Sequence, residues 1–174
     1  MQYLSMPIMD EIRCAIIASD SKEISMIETI LKSIDPENKF LKIDTRIQPN
    51  LSRLFLEDVD VVIIHNPMGI SKEGIKDLDK FLLEGGGVIW FQGDYIDGQY
   101  DSELFSKIGF PKIDMLVKSG QGMFSTNISS ESSDVLQEIR VRDISKEMPE
   151  VFKYAKTYIG PKTKIHLKLN NNDP

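Results

Sequence analysis

Two histidines, one cysteine and 27 acids are the main stock of reactive side chains in this 174-residue chain. His65 is the histidine in suggestive company. It closes the β-branched run Val59-Asp60-Val61-Val62-Ile63-Ile64 and is followed by Asn66 and Pro67. Ser19 and Asp20 close a second apolar run, Arg13 to Ala18, and Gln92, Gly93 and Asp94 close a third, Val88-Ile89-Trp90-Phe91. If the three runs are parallel strands of one sheet, these seven residues meet at its carboxyl edge, where open α/β sheets gather ligands. His65 with Asp94 or Asp20 then makes an acid/base pair, the equipment of a hydrolase or lyase. No nucleophile stands beside them. Each residue also has a structural use, with Asp20 as a helix cap, Asn66 in the turn before proline, and Gln92-Gly93-Asp94 as a strand exit.

The remaining chemistry is sparse. Cys14 lies inside the first run, where a thiol behaves as a small buried hydrophobe. His166 shares the outward face of an alternating strand with Lys164 and Lys168 and is expected to be an exposed bystander. Two histidines this far apart, with no acids at ligand spacing, offer no metal site, and no cofactor motif is present. Gly85-Gly86-Gly87 precedes a strand instead of opening a helix, so it is a turn and not a phosphate cradle. The loop Ser19-Asp20-Ser21 puts a carboxylate where a flavodoxin holds phosphate, and His65-Asn66 stands where a receiver domain needs its phosphorylatable aspartate. Asn50-Leu51-Ser52 and Asn127-Ile128-Ser129 match the glycosylation triplet, a pattern that arises often by chance.

The elements needed to position the seven residues can be read from hydrophobic period. Asp20 predicts an N-cap, with Glu23 reaching back in a capping box and Ile24, Ile27, Leu31 and Ile34 facing inward until Asp35-Pro36. Phe40 to Ile43 reads as a second strand, and Val59 to His65 as a third. Ser71 caps a helix that turns Ile75, Leu78, Phe81 and Leu82 inward and leaves through the glycine triplet. The alternation predicts a doubly wound, mostly parallel α/β sheet of flavodoxin-like type, with helices on both faces. Asp101 is expected to cap a short helix through Leu104, Phe105 and Ile108, and the six serines of 119–133 mark a loop around a short strand. Phe152 to Tyr158 and Lys164 to Leu169 alternate like strands joined by Gly160-Pro161, predicting a β-hairpin appendage over 148–174 whose lysines guard a sheet edge.

Composition sets the outer bounds. An apolar share of 41%, 28% charged residues and a formal charge of −6 describe one globular domain over 1–174, its first ten residues read as loose or vector-derived. An acidic chain, pI about 5.0, lacks the broad basic face that nucleic acid requires. No apolar run approaches the ~20 residues that cross a bilayer, and no basic-then-apolar leader opens the chain.

The segment Asp58 to Ile64, then Ile75 to Leu83, Glu84-Gly85-Gly86-Gly87-Val88-Ile89-Trp90-Phe91 and Gly93 resembles the class I glutamine amidotransferase-like superfamily. The shared unit is strand, capped helix, glycine turn and the strand leading to a nucleophile elbow. Pro149-Glu150-Val151-Phe152-Lys153-Tyr154 and Leu169 to Pro174 are similar to the amidotransferase-like module of aerotolerance-type (BatA-like) bacterial membrane proteins. The resemblance implies a cysteine at the turn after the fourth strand, activated by histidine and carboxylate. That turn is here Gln92-Gly93-Asp94, and His166 has no neighbouring acid, so the resemblance implies a noncatalytic module with Ser19, Asp20, His65, Asn66, Gln92, Gly93 and Asp94 lining its crevice. A protein partner or small ligand, no cofactor, and a membrane reached only through a larger parent chain complete the expectation, with Asn170 to Pro174 read as an excised end.

Overall fold

Ile12–Ala18 forms the central strand β1, and Cys14 to Ala18 are buried. The computed structural model describes residues 11–48, 50–94, 106, 108–120, 123–128, 150–158, 160, 164–171 and 173. The chain divides into two compact units, Met1–Tyr100 and Asp101–Pro174.

In the first unit, α1 (Ser21–Ile34) follows β1 and leads to β2 (Leu41–Ile47). β2 runs four residues beyond the expected Ile43. Its outer residues, Asp44 and Arg46, are charged because β2 lies at the sheet edge, and that polarity hides the strand in a hydrophobicity reading. β3 (Asn50–Leu51) and β5 (Gly69–Ile70), a short parallel pair, were not expected. Between them β4 (Val61–His65) starts two residues later than the apolar run. Asp58 has φ +58 and the Asp60 carboxylate accepts the Arg13 backbone N–H at 2.7 Å, so these residues build a turn, not a strand. α2 (Lys72–Leu83) is capped by Ser71, whose hydroxyl accepts from Gly74 N at 3.1 Å, and leaves through Gly85 at φ +96 to β6 (Gly87–Phe91).

The four long strands pair in the order β2-β1-β4-β6, all parallel. Alternation sends Cys14, Ile16, Ala18 and Ile63 to one face, where they pack with Ile24 and Ile27 of α1. Ile34, expected inward, is the last residue of α1 and is 58% exposed. Asp35 is buried and its carboxylate accepts the backbone N–H groups of Lys39, Phe40 and Leu41, which fixes the turn into β2. α2 buries Ile75, Leu78 and Phe81.

In the second unit, β7 (Lys112–Lys118) pairs antiparallel with β9 (Lys153–Tyr158), and β8 (Thr126–Ile128) with β10 (Leu167–Leu169). The two terminal strands therefore exist, but the expected hairpin between them does not describe their pairing. Lys156, on β9, pairs with Asp173 at 3.3 Å. Asp173 also accepts from the Tyr154 hydroxyl at 2.6 Å, tying the end of the chain to β9. The expected helix over 101–108 lies outside the described residues except for Ser106 and Ile108. Among the described residues no helix is long and apolar enough to cross a membrane.

Candidate functional site

The strand order places the seven candidates before any side chain is considered. β2 lies on one side of β1 and β6 on the far side of β4, so the crossovers after β1 and β4 diverge between them, the switch point at which such sheets bind ligands. Ala18 is opposite His65, and His65 opposite Phe91, so the residues that follow the three strands share one edge.

Ser19 donates its hydroxyl to the Asn66 carbonyl at 2.5 Å and ties the ends of β1 and β4 together. Asp20 caps α1: its Oδ1 accepts from Lys22 N at 2.8 Å and Glu23 N at 3.1 Å. That cap consumes amides an anion would need and sets a negative charge at the helix N-terminus, so phosphate is disfavoured there. The capping-box return from Glu23 is replaced by a longer reach. Glu23 Oε1 accepts from Asn66 Nδ2 at 2.7 Å, and Oε2 stands 3.5 Å from His65 Nδ1. The acid that the structure brings to His65 is therefore Glu23, while Asp20 serves as the cap and Asp94 lies exposed beyond the bend.

Asn66 is the hub of the edge. It adopts φ +46, a left-handed conformation that asparagine tolerates, and donates its backbone N–H to the Phe91 carbonyl at 2.9 Å. Its carboxamide lies against Gly93 so closely that a Cβ on Gly93 would sit 1.8 Å from Oδ1. Glycine is needed at 93 for this approach, and the space of a side chain at 93 is filled by Asn66. Gln92 turns back on its own strand, accepting from Trp90 Nε1 at 3.1 Å and donating Nε2 to the Gly93 carbonyl at 3.2 Å. The rings of His65 and Phe91 are 5.9 Å apart and tilted.

Three atoms in this cluster are shielded from solvent and have no hydrogen-bond partner: Glu23 Oε2, His65 Nδ1 and Asn66 Oδ1. Glu23 was not among the residues expected here. Its signal in the sequence is position: four residues before Ile27, it shares the inward stripe of α1, and an acid on such a stripe must meet a polar partner.

Cys14 does not approach the bend. It pairs in register with Val61, four residues before the Ala18–His65 level, about 13 Å back along the strand. Burial pushes its thiol above the ordinary value. His166 is half-buried instead of exposed. At the opposite, amino-terminal edge a recess of about 540 Å³ is lined by Ile12, Asp58, Asp60, Val61 and Phe81, but the Asp60 carboxylate there already holds Arg13 N.

No family model matches the chain, and no curated protein does. Among solved structures, a ThuA-like protein from Bacteroides uniformis is similar over 97% of this chain and 72% of its own length, with a TM-score of 0.57 and 13% sequence identity. ThuA-like proteins belong to the class I glutamine amidotransferase-like superfamily, and the likeness to this chain is one of fold.

Proposed function

We propose that the chain is a noncatalytic amidotransferase-like α/β domain, doubly wound with helices on both sheet faces, that holds a protein partner or small ligand at the carboxyl edge of β1, β4 and β6. The observation that carries this reading is the bend after Phe91: Gln92-Gly93-Asp94 offers no thiol or hydroxyl, and the Asn66 carboxamide occupies the side-chain space at 93. Binding groups nevertheless remain at that edge, in Ser19, Glu23, His65 and Asn66. The parent protein is membrane-anchored in this proposal, as in the BatA-like proteins that the terminal segments resemble. Thermal-shift measurements across a metabolite panel test the ligand half. A compound that raises the unfolding temperature of the parent but not of Glu23→Gln supports crevice binding; one that stabilises both equally places the site elsewhere. The full-length gene product tests the anchoring, which requires a flanking apolar segment of ~20 residues.

A second reading is favoured by the 3.5 Å approach of Glu23 to His65. A carboxylate behind an imidazole orients it as a general base, so a hydrolase or lyase would use His65 with Glu23 as its positioning acid. Turnover of a small ester or hydroxy acid that disappears in His65→Gln would select this reading.

A further inference from the structure

We infer that β2 is a self-association edge: two copies of the chain join by antiparallel pairing of their β2 strands across a two-fold axis at Thr45. β2 ends the sheet, with β1 as its strand partner among the described residues. The Ile12 N–H donates to the Phe40 carbonyl and the Gln48 N–H to the Ala18 carbonyl, so the even-numbered residues of β2 turn their backbone groups to β1. The odd-numbered residues Ile43, Thr45 and Ile47 therefore present N–H and C=O outward, a row that templates a further strand. Natural edges are blunted by proline, bulges or repelling charge. Here the register with β1 runs unbroken, no proline interrupts 42–47, and Lys42, Asp44 and Arg46 alternate in sign along one face. The other face carries Ile43, Thr45 and Ile47, the last 62% exposed.

A second copy fits this edge in one register. Centred on Ile43, the pairing needs the Leu41 N–H, which the Asp35 carboxylate already holds at 2.8 Å. Centred on Asp44, it sets that carboxylate against itself and Lys42 against the partner's Arg46; centred on Arg46, it sets two guanidiniums face to face. Centred on Thr45, it opposes Ile43 to the partner's Ile47 and Thr45 to the partner's Thr45, each pair exchanging both backbone bonds through outward groups. Asp44 then stands opposite the partner's Arg46 at the non-hydrogen-bonded position, where side chains approach most closely. Within its own chain Asp44 takes Arg46 Nε on Oδ2 at 2.8 Å, which leaves Oδ1 for the partner's guanidinium. The interface is isologous, as a two-fold dimer requires, and covers Ile47. β2 lies at the opposite edge from β6, so the dimer leaves the crevice open and stands or falls apart from the noncatalytic reading.

The test is sedimentation equilibrium of the whole chain over a concentration series. A species of twice 19.8 kDa is expected for the parent. Arg46→Asp faces acid with acid and Asp44→Arg faces base with base, so each variant alone should dimerise about tenfold more weakly or worse. Mixed, the two variants regain opposite charges at both positions and should form a heterodimer of near-parent affinity, an outcome that misfolding of either cannot produce. Thr45→Pro removes an outward N–H at the axis while sparing the ladder to β1, and should weaken the dimer with an unchanged circular dichroism spectrum. A parent that stays monomeric throughout the series overturns the inference, as does a dimer that these substitutions leave intact or that the mixture fails to restore.

Discussion

Gly93→Ala probes the packing on which the interpretation of the bend rests. The new methyl would lie 1.8 Å from Asn66 Oδ1 and 2.2 Å from its Cγ, whereas ordinary contact begins near 3.4 Å, so the carboxamide must retreat by about 1.5 Å. Such a retreat breaks the 2.7 Å bond from Nδ2 to Glu23. Losing a hydrogen bond to a charged group costs about 1.5–3 kcal/mol, and overpacking adds about 1–3 kcal/mol. Against this, alanine restricts the unfolded chain and returns about 0.4–1 kcal/mol. The net expected loss is about 3 kcal/mol. Asn66→Gly removes the obstructing atoms while suiting the left-handed φ, so Gly93→Ala made in that background should be neutral or slightly stabilising. The cycle should thus show a coupling of about 3 kcal/mol. Urea unfolding followed by Trp90 fluorescence, the chain's only tryptophan and two residues from the bend in sequence, measures it. A Gly93→Ala stability within about 0.5 kcal/mol of the parent, or the same penalty with Asn66→Gly present, would refute the packing argument.

Other perturbations bear on the elements that hold this edge in place. Burial pushes the Asp35 carboxyl up, but the N–H donors of Leu41, Phe40 and Lys39, with the charge of Lys42, more than reverse it and leave the group below the usual carboxylate range. Its stabilisation is therefore present above the unfolded value near ~4 and lost as pH falls through the lowered one, so Asp35→Asn should lower the urea midpoint at pH 7 and match the parent in strong acid. Asp173 is held low chiefly by the Tyr154 hydroxyl, with Lys156 and Asn171 assisting against burial. Asp173→Asn should thus loosen the second unit at neutral pH, seen as faster amide exchange in β9 and β10, with the difference fading in strong acid. Cys14, buried and with its thiol pushed up, should resist a thiol reagent until the first unit unfolds, and labelling at the native rate of an exposed thiol would contradict its placement. Leu78→Ala, at a fully buried position of α2, should cost about 2–5 kcal/mol in the same urea assay.

The parallel core was legible because its strands are buried on both sides and read as continuous apolar runs, as Cys14 to Ala18 and Val61 to Ile64 show. Caps were legible for a different reason: Asp20 and Ser71 act on backbone amides within three residues of themselves. What escaped was non-local. The extension of β2 is stabilised by its pairing with β1, which its own alternating charges conceal. The partners of β9 and β10 lie tens of residues away, and alternation alone cannot name a partner. At the candidate site, Ser19, Asn66 and Gly93 stand out by their positions at strand ends and do meet. Glu23 reads locally as part of the cap, while the fold gives it a partner 43 residues downstream.

The decisive measurement is ammonia release from glutamine by the purified, unmodified chain, with Gln92→Cys carried alongside as a control for a restored thiol. A bend without an attacking group, its side-chain space filled by Asn66, should give no release above buffer. Sustained release by the parent that vanishes in His65→Ala would contradict it.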